Sequence, residues 1–189
     1  MRRACSTGTC TLWTRAWCAL TSTPPAPAGV ALSGGEALGR SRGGVSTKIH
    51  VRAEGSGKPV TFHLTGGERH DSVALPTLLD AGAVRRKRGR PRLRPRRVVG
   101  DKAFAGRPSR EHLRSRRIGA VIPAKTGERR RPGFDRAAYR ARNRVERLFN
   151  RLKQFRRLAT RYEKRAANYL AMLHLGAIFI WINAFADTP

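Results

Sequence analysis

Acid is what this chain has least of. Twelve Asp and Glu stand against forty Lys and Arg in 189 residues, a formal charge of +28. Not one acid precedes Glu36. Such a chain repels itself unless a polyanion screens it, so nucleic acid is the natural partner and an anionic membrane surface the runner-up. Cysteine is confined to Cys5, Cys10 and Cys18. No His or Cys at zinc-ligand spacing accompanies them, which excludes a disulfide framework and a structural zinc site. Long apolar runs are also scarce. Residues 169–185 (YLAMLHLGAIFIWINAF) form one, but it is short for a membrane span, contains His174 and Asn183, and has no second span beside it. It reads as a helix closing a core, with His174 a core or edge histidine and no membrane partner. The opening MRRACSTGTCTLWTRAWCAL has the outline of a signal peptide, but Arg15 interrupts its apolar stretch. A cytoplasmic, nucleoid-associated chain is the expectation.

What is present changes character near residue 36. Residues 1–35 are rich in Thr, Pro, Ala and Gly and are expected to be disordered. From Ser46 onward STKIHVRAE and KPVTFHLTGG alternate apolar and polar side chains around Gly55, Gly57 and Pro59, predicting a β-hairpin. Asp71 and Ser72 can cap a helix over 72–81, with Pro76 counting against its regularity. A dense basic run follows at 85–97 (RRKRGRPRLRPRR), whose Pro and Gly content predicts an irregular loop. Its Arg85, Arg86, Lys87, Arg88 and Arg90 are candidate phosphate contacts. A buried strand over Arg97 to Gly100 ends at Asp101. A helix at 108–117, a strand at 120–124, a long helix at about 135–160 and a last helix at about 165–185 complete the order β-β-α-β-α-β-α-α.

The most informative segment is YRARNRVERLFNRLK. Tyr139, Arg142, Glu146 and Lys153 fall within roughly 60° of arc on one helix face at about 100° per residue. Val145, Leu148, Leu152 and Phe155 form a separate apolar stripe. One face would pack while the other offers a lone carboxylate among cations. Spacing alone leaves two readings open: a solvated, salt-bridged helix, or part of a metal-dependent phosphodiester site.

That segment resembles the C-terminal signature of bacterial insertion-sequence transposases of the DDE type, in the group typified by insertion sequence five. The likeness continues through ALGRSRGGVSTKIH (37–50), HLTGGERHDS (63–72), VVGDKAF (98–104) and NRVERLFNRLKQFRRLATRYEK (143–164). It covers roughly residues 36–185. The resemblance implies an RNase H-like α/β domain over 36–189, with a mixed sheet flanked by helices and two C-terminal helices. It implies Asp101 as the second catalytic acid and Glu146 as the third, both ligands in a two-metal Mg2+ site. Arg142 and Lys153 become DNA-phosphate contacts, with Tyr139 stacking or hydrogen-bonding nearby. Asp71 is a helix cap first and a site candidate second. The resemblance also implies cleavage at the ends of the element, strand transfer into target DNA, and a homo-oligomer when active.

The first acid of that family has no counterpart, because LWTRAWCALTSTPPAPAG stands where it belongs. The chain is therefore expected to lack the opening strand of the fold. The genetic code supplies an explanation. Trp13 followed by Thr14 (TGG ACN) contains GAC, an aspartate codon, one nucleotide out of frame. Trp17 and Cys18 (TGG TGY) likewise contain GTG, valine, and Leu20–Thr21 permits CAC, histidine. Residues 1–35 are thus read as translated out of frame, through gene decay, a sequencing error or a ribosomal frameshift. The expectation is a truncated transposase catalytic domain, inactive alone. The alternative is a non-catalytic DNA-binding remnant that titrates DNA ends or the intact enzyme.

Overall fold

A computed structural model describes residues 10–12, 15–19, 35–41, 44–82, 89–90, 94–125, 127–128 and 132–186. Its centre is β4 (Gly44–Ala53), a long strand with partners along both sides. The expected hairpin forms: β4 pairs antiparallel with β5 (Pro59–Gly66), from Thr47↔Gly66 to Ala53↔Pro59. Gly57 adopts φ +91° in the connecting turn, a left-handed conformation that disfavours any side chain. A short β3 (Gly39–Ser41) folds back on the start of β4.

The expectation of a sheet without its opening strand is corrected. β1 (Cys10–Leu12) lies between β4 and β6 (Arg97–Val99), antiparallel to the former and parallel to the latter. β2 (Arg15–Ala19) continues along β4 in the same register, from Arg15↔His50 to Ala19↔Ser46. The physical reason is pairing: an empty lane between β4 and β6 would strand backbone N–H and C=O groups in mid-sheet. β7 (Gly119–Val121) then pairs parallel with β6 and closes the row β5–β4–β1–β6–β7. The remainder of residues 1–35, apart from Gly35, lies outside the described residues, as do Arg85, Arg86, Lys87 and Arg88.

Helices cover both faces, and the alternation of strand side chains sorts the core. Val99 joins Ile49, Val51, Ala53, Phe62 and Val121 under α4 (Asn143–Gln154), α5 (Arg156–Ala159) and α6 (Ala166–Ala186). Val98 points the other way, into a cluster with α1 (Leu75–Asp80) and α2 (Arg107–Ser115), built on Leu75, Leu78, Leu113, Ile118 and Ile122. Pro76 and Pro108 sit in the first turns of their helices, where a missing N–H costs nothing.

The polar residues of β4 are buried, against the half-exposed sheet that strict alternation predicts. Lys48, His50 and Arg52 are all within 5% of full burial. Lys48 forms an ion pair with Asp71 at 3.2 Å, His50 Nε2 meets Thr65 Oγ1 at 2.8 Å, and Arg52 donates to the Ala81 carbonyl just after α1 at 2.9 Å. Asp71 is accordingly not the predicted cap. His70 fills that role, its Nδ1 accepting from the Ser72 N–H at the head of a 3-10 turn (Asp71–Ala74) that leads into α1.

α6 meets its expectation on one face. Tyr169, Leu173, Gly176, Ala177 and Ile180 are buried, while Leu175, Ile178, Phe179, Ile182 and Phe185 are exposed. It is long and apolar enough to cross a membrane by length and composition, but its inner face packs on β5, α4 and α5. His174 is exposed at the edge of that face, its ring 5.7 Å from Phe62.

Candidate functional site

β1, β6 and β7 run parallel, and their carboxyl ends are level: Leu12 faces Val99, which faces Val121. The crevice beyond the carboxyl ends of parallel strands is where open α/β sheets hold ligands. Asp101 sits there. Gly100 N–H donates to the Val121 carbonyl at 3.2 Å, carrying the ladder one residue past β6. Asp101 keeps an extended backbone (φ −73°, ψ 167°) and caps the short 3-10 turn Lys102–Phe104, its side chain accepting from the Lys102 N–H. Two residues beyond Val99 in extended chain, it emerges on the face that α4 covers.

Glu146 lies in the first turn of α4, next to Val145, which is fully buried in the same apolar cluster as Val99. Sheet and helix thus bring both carboxylates to one side of the molecule. Among the described residues no hydrogen bond or ion pair links Asp101 to Glu146.

The predicted helix over 135–160 is three helices. α3 (Arg136–Arg140) is capped by Asp135, whose carboxylate accepts from the Ala138 N–H at 2.8 Å. That bond, with the Arg97 guanidinium at 2.6 Å, holds the Asp135 carboxyl below the usual range. Between α3 and α4 the backbone tightens into i→i−3 bonds, Arg142 N–H to the Tyr139 carbonyl and Val145 N–H to the Arg142 carbonyl. A second break falls at Phe155, which is extended (φ −79°, ψ 102°) and leaves the predicted stripe to touch Phe179 instead. Phe149 takes its place in the core.

The tightening keeps three predicted residues together. Arg142 donates to Glu146 at 2.9 Å, and its guanidinium lies 5.7 Å from the Tyr139 ring centre. Tyr139 in turn lies 5.5 Å from Phe134, tilted by 56°. Lys153 stands exposed in the last turn of α4, and among the described residues no ion pair joins it to this group. Arg90 is exposed in a bend.

Asp101 and Glu146 offer the hard oxygen donors that Mg2+ prefers. They do not complete a two-metal site. No group of three or more His, Cys, Asp or Glu side chains able to hold a metal occurs among the described residues. Asp71, the remaining acid the sequence raised as a candidate, is committed to Lys48 in the buried pair.

Comparison with known proteins bears on this geometry. Residues 33–182 match the model of a family described as the transposase DDE domain. A protein named as a transposase for insertion sequence element IS402, from Burkholderia cepacia, is 36% identical over 138 residues, which is 72% of this chain. The chain spans 63% of that relative's length. A second, named as a transposase for insertion sequence element IS6501 of Brucella ovis, is 27% identical over 146 residues, 74% of this chain and 100% of that protein.

Proposed function

The chain belongs to the transposase DDE-domain family, and from that premise we propose that it is an RNase H-like catalytic domain holding two of the three acids needed to cut and join DNA. The single observation that carries this reading is the placement of Asp101 at the carboxyl end of β6, with Glu146 on the helix whose Val145 is buried in the same apolar cluster as Val99. The strand row β5–β4–β1–β6–β7, with β4 antiparallel to β1 and the last three strands parallel, supports the RNase H-like assignment.

In this reading Asp101 and Glu146 are the surviving ligands for divalent metal. The metal, when a full set of carboxylates holds it, activates the attacking hydroxyl and stabilises the leaving oxygen. The chain's own residues supply positioning. Arg142 orients Glu146 and offers its remaining N–H groups to a phosphate, Lys153 extends the cationic face, and Tyr139 supports the Arg142 guanidinium. A chain with +28 charge binds DNA through its phosphates whether or not it cleaves. Use of paired DNA ends would require more than one copy.

The register supports a location for the absent first acid. Parallel pairing of β1 with β6 runs to Leu12↔Val99. Thr14 follows Leu12 by two residues in sequence, as Asp101 follows Val99. The out-of-frame aspartate codon read across Trp13 and Thr14 falls at that same position 14.

The reading is tested by incubating the purified chain with supercoiled plasmid and Mg2+ or Mn2+. No nicking above background is expected, with DNA binding that weakens steeply with salt and ignores Glu146→Gln. Robust nicking abolished by Glu146→Gln overturns the inactivity. Binding that is weak and insensitive to salt overturns the DNA partnership itself.

A further inference from the structure

Along the β7 side of the sheet the surface opens into two adjoining hollows. One, of about 490 Å³, is walled by Arg97, Arg114 and Arg117 and by the outer edge of β7. The other, of about 670 Å³, is walled by Lys102, Lys125 and Arg136. Ile122, Gly133 and Phe134 line both, so the two lie side by side as a trench-like surface divided at Phe134. Its acids are already engaged. Asp135 pairs with Arg97 at 2.6 Å, and Glu128 accepts from the Lys125 N–H at 3.1 Å. Arg114, Arg117, Lys102, Lys125 and Arg136 are exposed, and no carboxylate pairs with any of them among the described residues.

The second hollow starts beside one candidate acid and is linked to the other through side chains. Lys102 follows Asp101 directly. From Phe134 a line of contacts runs through Tyr139 at 5.5 Å and Arg142 at 5.7 Å to Glu146 at 2.9 Å. Each hollow falls in the roughly 300–1,000 Å³ range of sites that admit one small ligand group. Cations along the walls with a half-buried aromatic side chain between them are the elements that track a single strand: phosphates on the cations, a base on the ring.

We infer that this trench carries one DNA strand, separated from its complement, to or from the site at Asp101 and Glu146. The inference rests on the DDE-domain reading for the identity of the strand as DNA. Arg114, Arg117, Lys125 and Arg136 are its phosphate contacts and Phe134 its stacking platform.

The test is fluorescence anisotropy with a labelled oligothymidine of about twelve nucleotides, within the site sizes such grooves occupy, against a duplex of equal length. It is run across a salt series without divalent metal. The wild-type chain is expected to prefer the single strand. The variant Arg114→Ala/Arg117→Ala/Lys125→Ala/Arg136→Ala, altered only at exposed side chains, should lose that preference and at least tenfold in affinity. Its salt slope should fall by about two to three, at roughly 0.7 per phosphate. A control that removes equal charge from the exposed Arg156, Arg157, Lys164 and Arg165 should keep the preference. Phe134→Leu, which retains apolar contact with Tyr139, should weaken the strand severalfold without changing the slope.

Equal losses in the two fourfold variants, a wild-type preference for duplex, or tighter binding of an oligouridine of the same length each overturns the inference. Because cleavage is not measured, absence of nicking leaves this result intact. A lost strand preference in a chain that nicks DNA removes the trench and spares the enzyme.

Discussion

Arg142 reaches Glu146 across one helical turn, 2.9 Å from Nη1 to Oε1, with the two side chains 28% and 43% exposed. So exposed a pair contributes only about 0.3–0.5 kcal/mol to stability. A residue kept for the fold would be a poor use of an arginine here. Arg142→Ala is therefore predicted to leave the urea midpoint almost unchanged. It should reduce DNA affinity and the salt slope by about one phosphate contact, roughly 0.7–0.9 in slope. A large loss of stability in urea titration would assign Arg142 to the fold instead.

Thr14→Asp should supply the acid that the out-of-frame reading places at position 14. In the plasmid assay this variant is predicted to gain nicking that depends on Mg2+ or Mn2+ and returns to background on adding Glu146→Gln or Asp101→Asn. Moving the carboxylate to Trp13 should not substitute, since only position 14 follows Leu12 by the two residues that separate Asp101 from its partner Val99. No gain with Thr14→Asp sinks the proposed position.

The Lys48–Asp71 pair, 6% and 3% exposed, predicts the opposite pattern. Asp71→Ala leaves a buried ammonium without its carboxylate and should cost about 3–5 kcal/mol by urea unfolding. Lys48→Met combined with Asp71→Leu should recover most of that loss. If Asp71→Ala instead spares stability and changes only DNA chemistry, Asp71 belongs to the site.

α6 is predicted to show two faces under mutation. Leu173→Ala, at a fully buried position, should cost about 2–5 kcal/mol. Ile178→Ala, at a position 52% exposed, should stay within about 0.5 kcal/mol. Similar small effects at both positions in thermal unfolding would mean that α6 does not close the core.

Burial lowers the pKa of His63 on β5 below its ordinary 6.5. The folded state then binds the proton less readily than the unfolded chain. Its contribution to stability is complete above pH 6.5 and is lost as pH falls through the depressed folded value. His63→Gln should flatten the fall of the thermal midpoint between pH 7.5 and 5. An unchanged slope would acquit His63 of any part in acid sensitivity.

Much of this was legible in the chain alone. The hairpin around Gly57, the strand ending at Asp101, the apolar run at the C-terminus and the motif around Glu146 all follow from local rules: period-two alternation, turn residues and helical spacing. The breaks at Arg142 and Phe155 were not legible, because neither carries a glycine or proline, and backbone tightening at one and extension at the other depend on what packs below. Nor was the burial of Lys48, His50 and Arg52, whose alternation reads as a solvated face until α1 and Asp71 cover it.

Composition and motif pointed to the family, because net charge and the order of side chains are properties of the chain itself. Only the tertiary structure decided which residues share a place. Asp101 and Glu146 are far apart in sequence, and the apolar cluster that holds both Val99 and Val145 joins α4 to the sheet that carries β6. Phe134 comes to line two hollows whose cations are drawn from α2, α3, β6 and the turns beside them. No periodicity encodes such a surface, because its residues come from separate elements and become neighbours only after burial of the apolar cores sets the elements side by side.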